Sequence, residues 1–158
     1  MRGLLDKMRV SFGEPIQYQL ILNNEPQIAM NGLIGREIEL SWTGRIVCSN
    51  CSKQTKNSFG QGFCFSCFQS APQASPCIIK PELCKAHLGE GRDIDWEHKH
   101  HNQPHIVYLA ASDSVKVGVT RAEQTLTRWI DQGASHAIIL AETANRYQLA
   151  RAVEDFGG

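Results

Sequence analysis

Apolar and polar positions alternate in two early stretches, and then the pattern gives out. PIQYQLILNN (15–24) is rich in β-formers and ends in Asn-Asn. REIELSWTGRIV (36–47) alternates around Ile38, Leu40 and Trp42 before running on to Ile46 and Val47. Both predict strands, with Gly32 and Gly35 punctuating the gap between them. Residues 48–105 show little periodicity. From residue 106 the pattern returns as β-β-α-β-α. IVYLA and SVKVGVT form a hairpin across an Ala111-Ser112-Asp113 turn. A helix runs from Arg121 to Gln132 and is stopped by Gly133; HAIILA is a third strand. A last helix starts at Thr143 or Asn145, either a fair N-cap, and ends near Phe156. The expected fold class is α+β, with a β-rich region over 1–105 and a small α/β unit over 106–158.

Fifty-eight residues without packed elements are unusual in a compact domain and need another source of order. The missing order has a chemical explanation in CSNCSKQTKNSFGQGFCFSC. Cys48-x2-Cys51 and Cys64-x2-Cys67 are two identical pairs separated by twelve residues. A two-residue gap lets both thiolates of a knuckle face one ion, and two knuckles supply the four soft tetrahedral ligands that zinc accepts. Redox CxxC pairs or plain buried thiols are the alternatives, but a redox motif normally occurs once, at a strand-to-helix junction. Four protein ligands leave no open position, so this ion is expected to be a staple whose binding energy is folding energy. Phe59, Phe63, Phe65 and Phe68 interleave with the knuckles, either to pack around the ion or to stack on bases.

Cys77 and Cys84, in CIIKPELC, do not form a knuckle. His87 follows three residues later and EHKHH lies beyond, so a second zinc of Cys2His2 type is expected. Its fourth ligand is His98, His100 or His101. Spacing does not choose among them; His100 stands for the three. The alternative is two ordinary thiols beside a solvated histidine run.

Composition narrows the function classes. The chain has 158 residues, 42% of them hydrophobic, with 16 basic and 16 acidic residues and zero formal charge. Zero charge argues against non-specific coating of nucleic acid but not against a local basic groove, and it mildly favours a protein partner. No apolar run approaches the ~20 residues of a membrane span, and MRGLLDKMRVSFGEP has no secretory h-region. A cytoplasmic location follows as an expectation, and reduced thiols there favour metal over disulfides.

The last segment adds candidates for phosphate chemistry. Arg121, Thr125, Arg128 and Gln132 share one helix stripe, while Leu126 and Ile130 occupy another face with Trp129 beside it. Two guanidiniums so placed grip phosphates; the alternative is a solvated polar face. Gly118 inside a strand marks a bulge or a close approach of backbone or ligand. On the last helix Glu154 falls in line with Tyr147 and Ala150, beside the apolar line of Leu149, Val153 and Phe156. A carboxylate there needs a partner or a metal, unless it simply frays into water.

VYLA, a turn, VKVGVTR, then Arg128 and a carboxylate on a later helix resemble the GIY-YIG nuclease module. Over residues 3–156 the chain more closely resembles a bacterial family catalogued as domain of unknown function 2797, through NGLIG, CSNC, KNSFGQGFCFSCF, PELC, PHIVYLA, VKVGVTR and TRWIDQGA. The nuclease resemblance implies that Ile106-Val107-Tyr108 stands for the first tripeptide and Lys116-Val117-Gly118 for the second, with Lys116 where many members carry tyrosine. It implies roles for Arg128 as the helix arginine and Glu154 as the Mg²⁺ ligand, with His105 and Glu142 in reserve. The implied activity is Mg²⁺-dependent phosphodiester hydrolysis of nucleic acid, with Tyr108, Lys116, Arg128 and Glu154 catalytic and Arg121, Arg128 and Lys116 holding the substrate. The competing expectation is a non-catalytic zinc-dependent module for nucleic acid or protein. Two features depart from relatives: Gly91 stands where a further cysteine is expected, and the chain ends at DFGG where relatives continue.

Overall fold

A computed structural model describes residues 1–155, with side chains to residue 153. It is α+β and divides into two compact units, Met1–Arg45 and Ile46–Gly158. The division falls after Arg45 rather than at 105/106, so the cysteine-rich segment belongs to the same unit as the C-terminal sheet.

The first unit is an antiparallel sheet of β1 (Leu5–Ser11), β2 (Gln17–Leu22) and β3 (Glu25–Ala29), in that order. Asn23 and Asn24 both take positive φ, at 54° and 65°, as a two-residue turn that matches strand twist requires. A 3-10 turn follows at Met30–Leu33. Its Asn31 side chain accepts from the Tyr18 N–H and donates to the Ile16 carbonyl, which pins the turn to β2.

The strand predicted over 36–47 forms only at its end, as β4 (Ile46–Val47). Its alternating positions Ile38, Leu40 and Trp42 stay exposed. Alternation specifies a half-buried strand only where a neighbouring strand takes up the backbone groups and a core takes up the side chains. Residues 37–45 have neither. β1, conversely, was not foreseen, because LDKMRVS lacks clean alternation.

In the second unit β4 pairs with β5 (Gln54–Thr55), and α1 covers Phe65–Ser70. Four 3-10 turns follow, at Pro72–Ala74, Pro76–Ile78, Pro81–Leu83 and Ala86–Leu88, the first three opened by proline at a position where its missing N–H costs nothing. α2 (Ile94–His101) is capped by Asp93, whose carboxylate accepts from the Trp96 N–H at 2.9 Å.

The last third follows the predicted β-β-α-β-α order: β6 (His105–Ala111), β7 (Val115–Arg121), α3 (Thr125–Asp131), β8 (His136–Thr143) and α4 (Arg146–Asp155). The first turn of the predicted helix, Ala122–Gln124, is 3-10. β6 is central, antiparallel to both neighbours. Gly133, at φ 64°, ends α3: its N–H reaches Ile130 O and the Ala134 N–H reaches Trp129 O, the paired bonds of a left-handed helix cap. Asn145 caps α4, its side chain accepting from the Gln148 N–H at 3.0 Å while Gln148 Oε1 accepts from the Ala144 N–H.

Candidate metal centres

The first cluster is built by two knuckles that the backbone ties together. In the first, the Ser52 N–H bonds Cys48 O, and Cys48 N–H bonds Lys53 O. In the second, Phe59 and Phe63 bridge across Gly60 and Gly62, and Cys64 and Cys67 lie at the cap and first turn of α1. The Ser49 N–H reaches Gly62 O at 2.8 Å and joins the two. The four sulfurs all lie within 4.8 Å of one another, with Cys51 and Cys64 at 3.8 Å. Sulfurs each about 2.3 Å from one tetrahedral ion would stand about 3.8 Å apart. The donor set therefore fits a zinc-sized ion, and the chain could hold one here. Burial works against the Cys48 thiolate, but the N–H groups of Cys51, Cys64 and Asn50 outweigh it and bring the thiol down to about 6. Asn50 also donates to Cys67 Sγ at 3.4 Å, an outer-shell contact that orients a ligand.

The second cluster gathers Cys77, Cys84, Glu97 and His101, their donor atoms again within 4.8 Å. All four are buried. Cys77 comes from one 3-10 turn and Cys84 caps another, while Glu97 and His101 sit one turn apart on α2. Glu97 Oε2 lies 2.6 Å from His101 Nδ1 and 3.8 Å from Cys77 Sγ. Cys77 holds its thiol proton more tightly than Cys84: the neighbouring Cys84 thiol, aided by burial, pushes Cys77 up to about 12, and the Cys77 thiol brings Cys84 down to about 7. An incoming ion would displace that proton.

Two residues expected at this site are elsewhere. His87 is exposed and stacks on Tyr147 at 4.6 Å. His100 stacks on Trp96 at 4.1 Å and donates from Nδ1 to Trp96 O. Of the three candidates for the last ligand it is His101 that faces the thiols. Glu97 was missed. The signal was present in DIDWEHKHH: an Asp N-cap starts a helix, and a helix puts residues four apart on one face.

The second cluster is bound to the C-terminal helix. Arg146 of α4 donates from Nε to Cys77 O at 2.8 Å and from a terminal nitrogen to Ile78 O at 2.6 Å. Tyr147 packs against Cys77, Cys84 and Ala86.

The residues expected to do phosphate chemistry are only partly brought together. Tyr108 is 0% exposed, and its hydroxyl donates to Gln132 Oε1 at 2.8 Å. Burial raises its phenol pKa, against which the adjacent Arg128 guanidinium works. Gly118 pairs with Tyr108, and a Cβ there would lie 2.3 Å from the ring, so the close approach is the tyrosine itself. Lys116 pairs with Asp113 at 3.1 Å, and Arg121 with Glu123 at 3.1 Å. Arg128 and Glu142 are exposed. His105 is buried; Nδ1 donates to Gln103 O at 2.7 Å and Nε2 has no partner. The Glu154 side chain lies outside the described residues.

Among the described residues no helix is long and apolar enough to cross a membrane. No curated protein and no solved structure matches the chain. A family model does, over residues 35–156, which takes in both cysteine clusters and the C-terminal sheet. The chain belongs to the family described as protein of unknown function (DUF2797).

Proposed function

We propose that this is a zinc-stapled nucleic-acid-binding protein that holds unpaired bases on the aromatic surface of the first cysteine cluster. One observation carries this reading. Phe59 lies 5.4 Å from Phe65 and 6.0 Å from Phe68, yet Phe65 and Phe68 remain 55% and 38% exposed. Only Phe63 of the four interleaved phenylalanines is buried. A closed four-thiolate site keeps the knuckles rigid, so the rings are held ready without an ordering cost on binding. Lys53 and Lys56, exposed on the loop between the knuckles, supply local charge that the neutral whole does not. Stacking on an aromatic side chain contributes about 1–3 kcal/mol per base and tolerates any base. Fluorescence anisotropy with labelled single-stranded RNA and DNA tests this. Binding should weaken roughly tenfold in Phe65→Ala and in Phe68→Ala, the equivalent of about 1.4 kcal/mol each. Binding that survives both substitutions unchanged would end the proposal.

A second reading makes the β6-β7-α3-β8-α4 unit a Mg²⁺-dependent phosphodiesterase, with Tyr108, Lys116, Arg128 and Glu154 catalytic. It is favoured by Arg128 lying close enough to Tyr108 to act on its phenol. Against it stands the full burial of Tyr108 and the bond to Gln132. Cleavage of structured DNA or RNA that requires Mg²⁺ and is lost in Glu154→Gln would establish this reading; no cleavage would dismiss it.

A further inference from the structure

The two clusters differ in the character of their fourth ligand. Cys77, Cys84 and His101 are good zinc donors. Glu97 supplies a harder oxygen that zinc holds less tightly beside two thiolates. Glu97 Oε2 and His101 Nδ1 are 2.6 Å apart. Two ligands of one tetrahedral zinc, at about 2.0–2.2 Å from the ion, stand about 3.3 Å apart. The 2.6 Å contact is shorter than that, so an ion entering must separate the pair. The imidazole is the better donor, so the carboxylate is the member that gives way.

Glu97 also has somewhere to go. Its other oxygen, Oε1, is buried without a hydrogen-bond partner. The side chain lies against Gly91, where an added Cβ would fall 2.6 Å from its Cγ. A cavity of about 150 Å³ is lined by Glu97 and Cys77 together with Ser75, Leu83, Gly91 and the Lys85–Glu90 ion pair, whose charges offset each other. A polar space of this size has room for a small anion. The cavity thus touches the cluster at its weakest ligand and at one of its sulfurs.

We propose that the second cluster is an exchangeable zinc centre, in which Cys77, Cys84 and His101 are permanent ligands and the Glu97 carboxylate is replaced by a small monoanionic donor entering through the cavity. One monoanion replaces another, so the charge of the centre is unchanged by the exchange. Such a centre offers a Lewis-acidic position that a four-thiolate site does not. This inference does not depend on nucleic-acid binding at the first cluster.

The test uses the full chain loaded with cobalt(II) in place of zinc, and azide as the probe anion. Two cobalt ions should bind, and azide should shift the visible absorption bands of one of them in a saturable way. Glu97→Cys, with three thiolates and an imidazole, should still bind two ions while the azide response disappears. Glu97→Ala should keep the response and reach saturation at lower azide. An unmoved wild-type spectrum, a single cobalt ion per chain, or an undiminished response in Glu97→Cys would each overturn the proposal. The wild-type titration decides the matter even if a variant fails to fold.

Discussion

The two cysteine clusters solve the same problem at different ranges. The first draws all its donors from Cys48 to Cys67, and its ties are local: paired backbone bonds and an outer-shell asparagine. The second spans Cys77 to His101 and combines thiols from 3-10 turns with two side chains of a helix. Each is also held by an arginine on backbone carbonyls. Arg92, itself exposed, donates to Phe68 O and Ala71 O at the end of α1. Arg146 does so from α4 to Cys77 O and Ile78 O across 69 and 68 residues. A local staple orders its own loop, whereas a long-range one couples a loop to the sheet domain.

The largest effect should come from removing the first staple. Cys48→Ser should lose one of two metal equivalents and the hydrogen-exchange protection of residues 46–70, since structural zinc contributes on the order of 10 kcal/mol to folding of small sites. If residues 46–70 stay protected without the metal, the first cluster is not a staple. Chelation of both sites should strip protection from 48–105 and fray α4 through loss of the Arg146 contacts, leaving β6, β7 and β8 paired. Equal loss everywhere would erase the local-versus-coupling distinction.

Acid should separate cluster protons from another buried group. Burial holds His105 down to about 4, from 6.5. The unfolded chain takes up that proton first, so stability from His105 is complete above pH 6.5 and is lost as pH falls toward 4. The shift corresponds to roughly 3 kcal/mol. Urea melts of wild type and His105→Phe should diverge in slope against pH over that window, with and without chelator alike. A divergence seen only with metal bound would place His105 in the second centre.

Arg146→Met should cost about 3 kcal/mol, because it removes two charged hydrogen bonds to carbonyls at the second site. It should weaken the second metal while leaving the first in place, as read by metal competition. Arg92→Met should cost only about 1 kcal/mol, since Arg92 is an exposed residue and its bonds compete with water. Similar costs for the two arginines would remove the asymmetry between local and long-range ties.

Much of this was written along the chain. The CxxC pairs announced the first cluster, because two-residue spacing makes both thiols of a knuckle converge whatever surrounds them. The β-β-α-β-α order, the Gly133 stop and the Asn145 cap were legible for the same reason: turn and cap chemistry act within a few residues. What escaped was everything decided by meeting at a distance. REIELSWTGR alternates like a strand but found no neighbour to pair with. His87 and His100 carried the right atoms and faced aromatic rings instead of the thiols. Glu97 became part of the second cluster only because α2 brings its face to Cys77 and Cys84, and because Gly91 leaves room for its carboxylate. The depth of Tyr108 was set by packing beneath α3, with a glycine opposite to accept its ring. Sequence spacing settles which donors share a knuckle, since that geometry is covalent. Which distant donors share an ion is settled by the tertiary fold, since burial and helix orientation alone choose among side chains of equal chemistry.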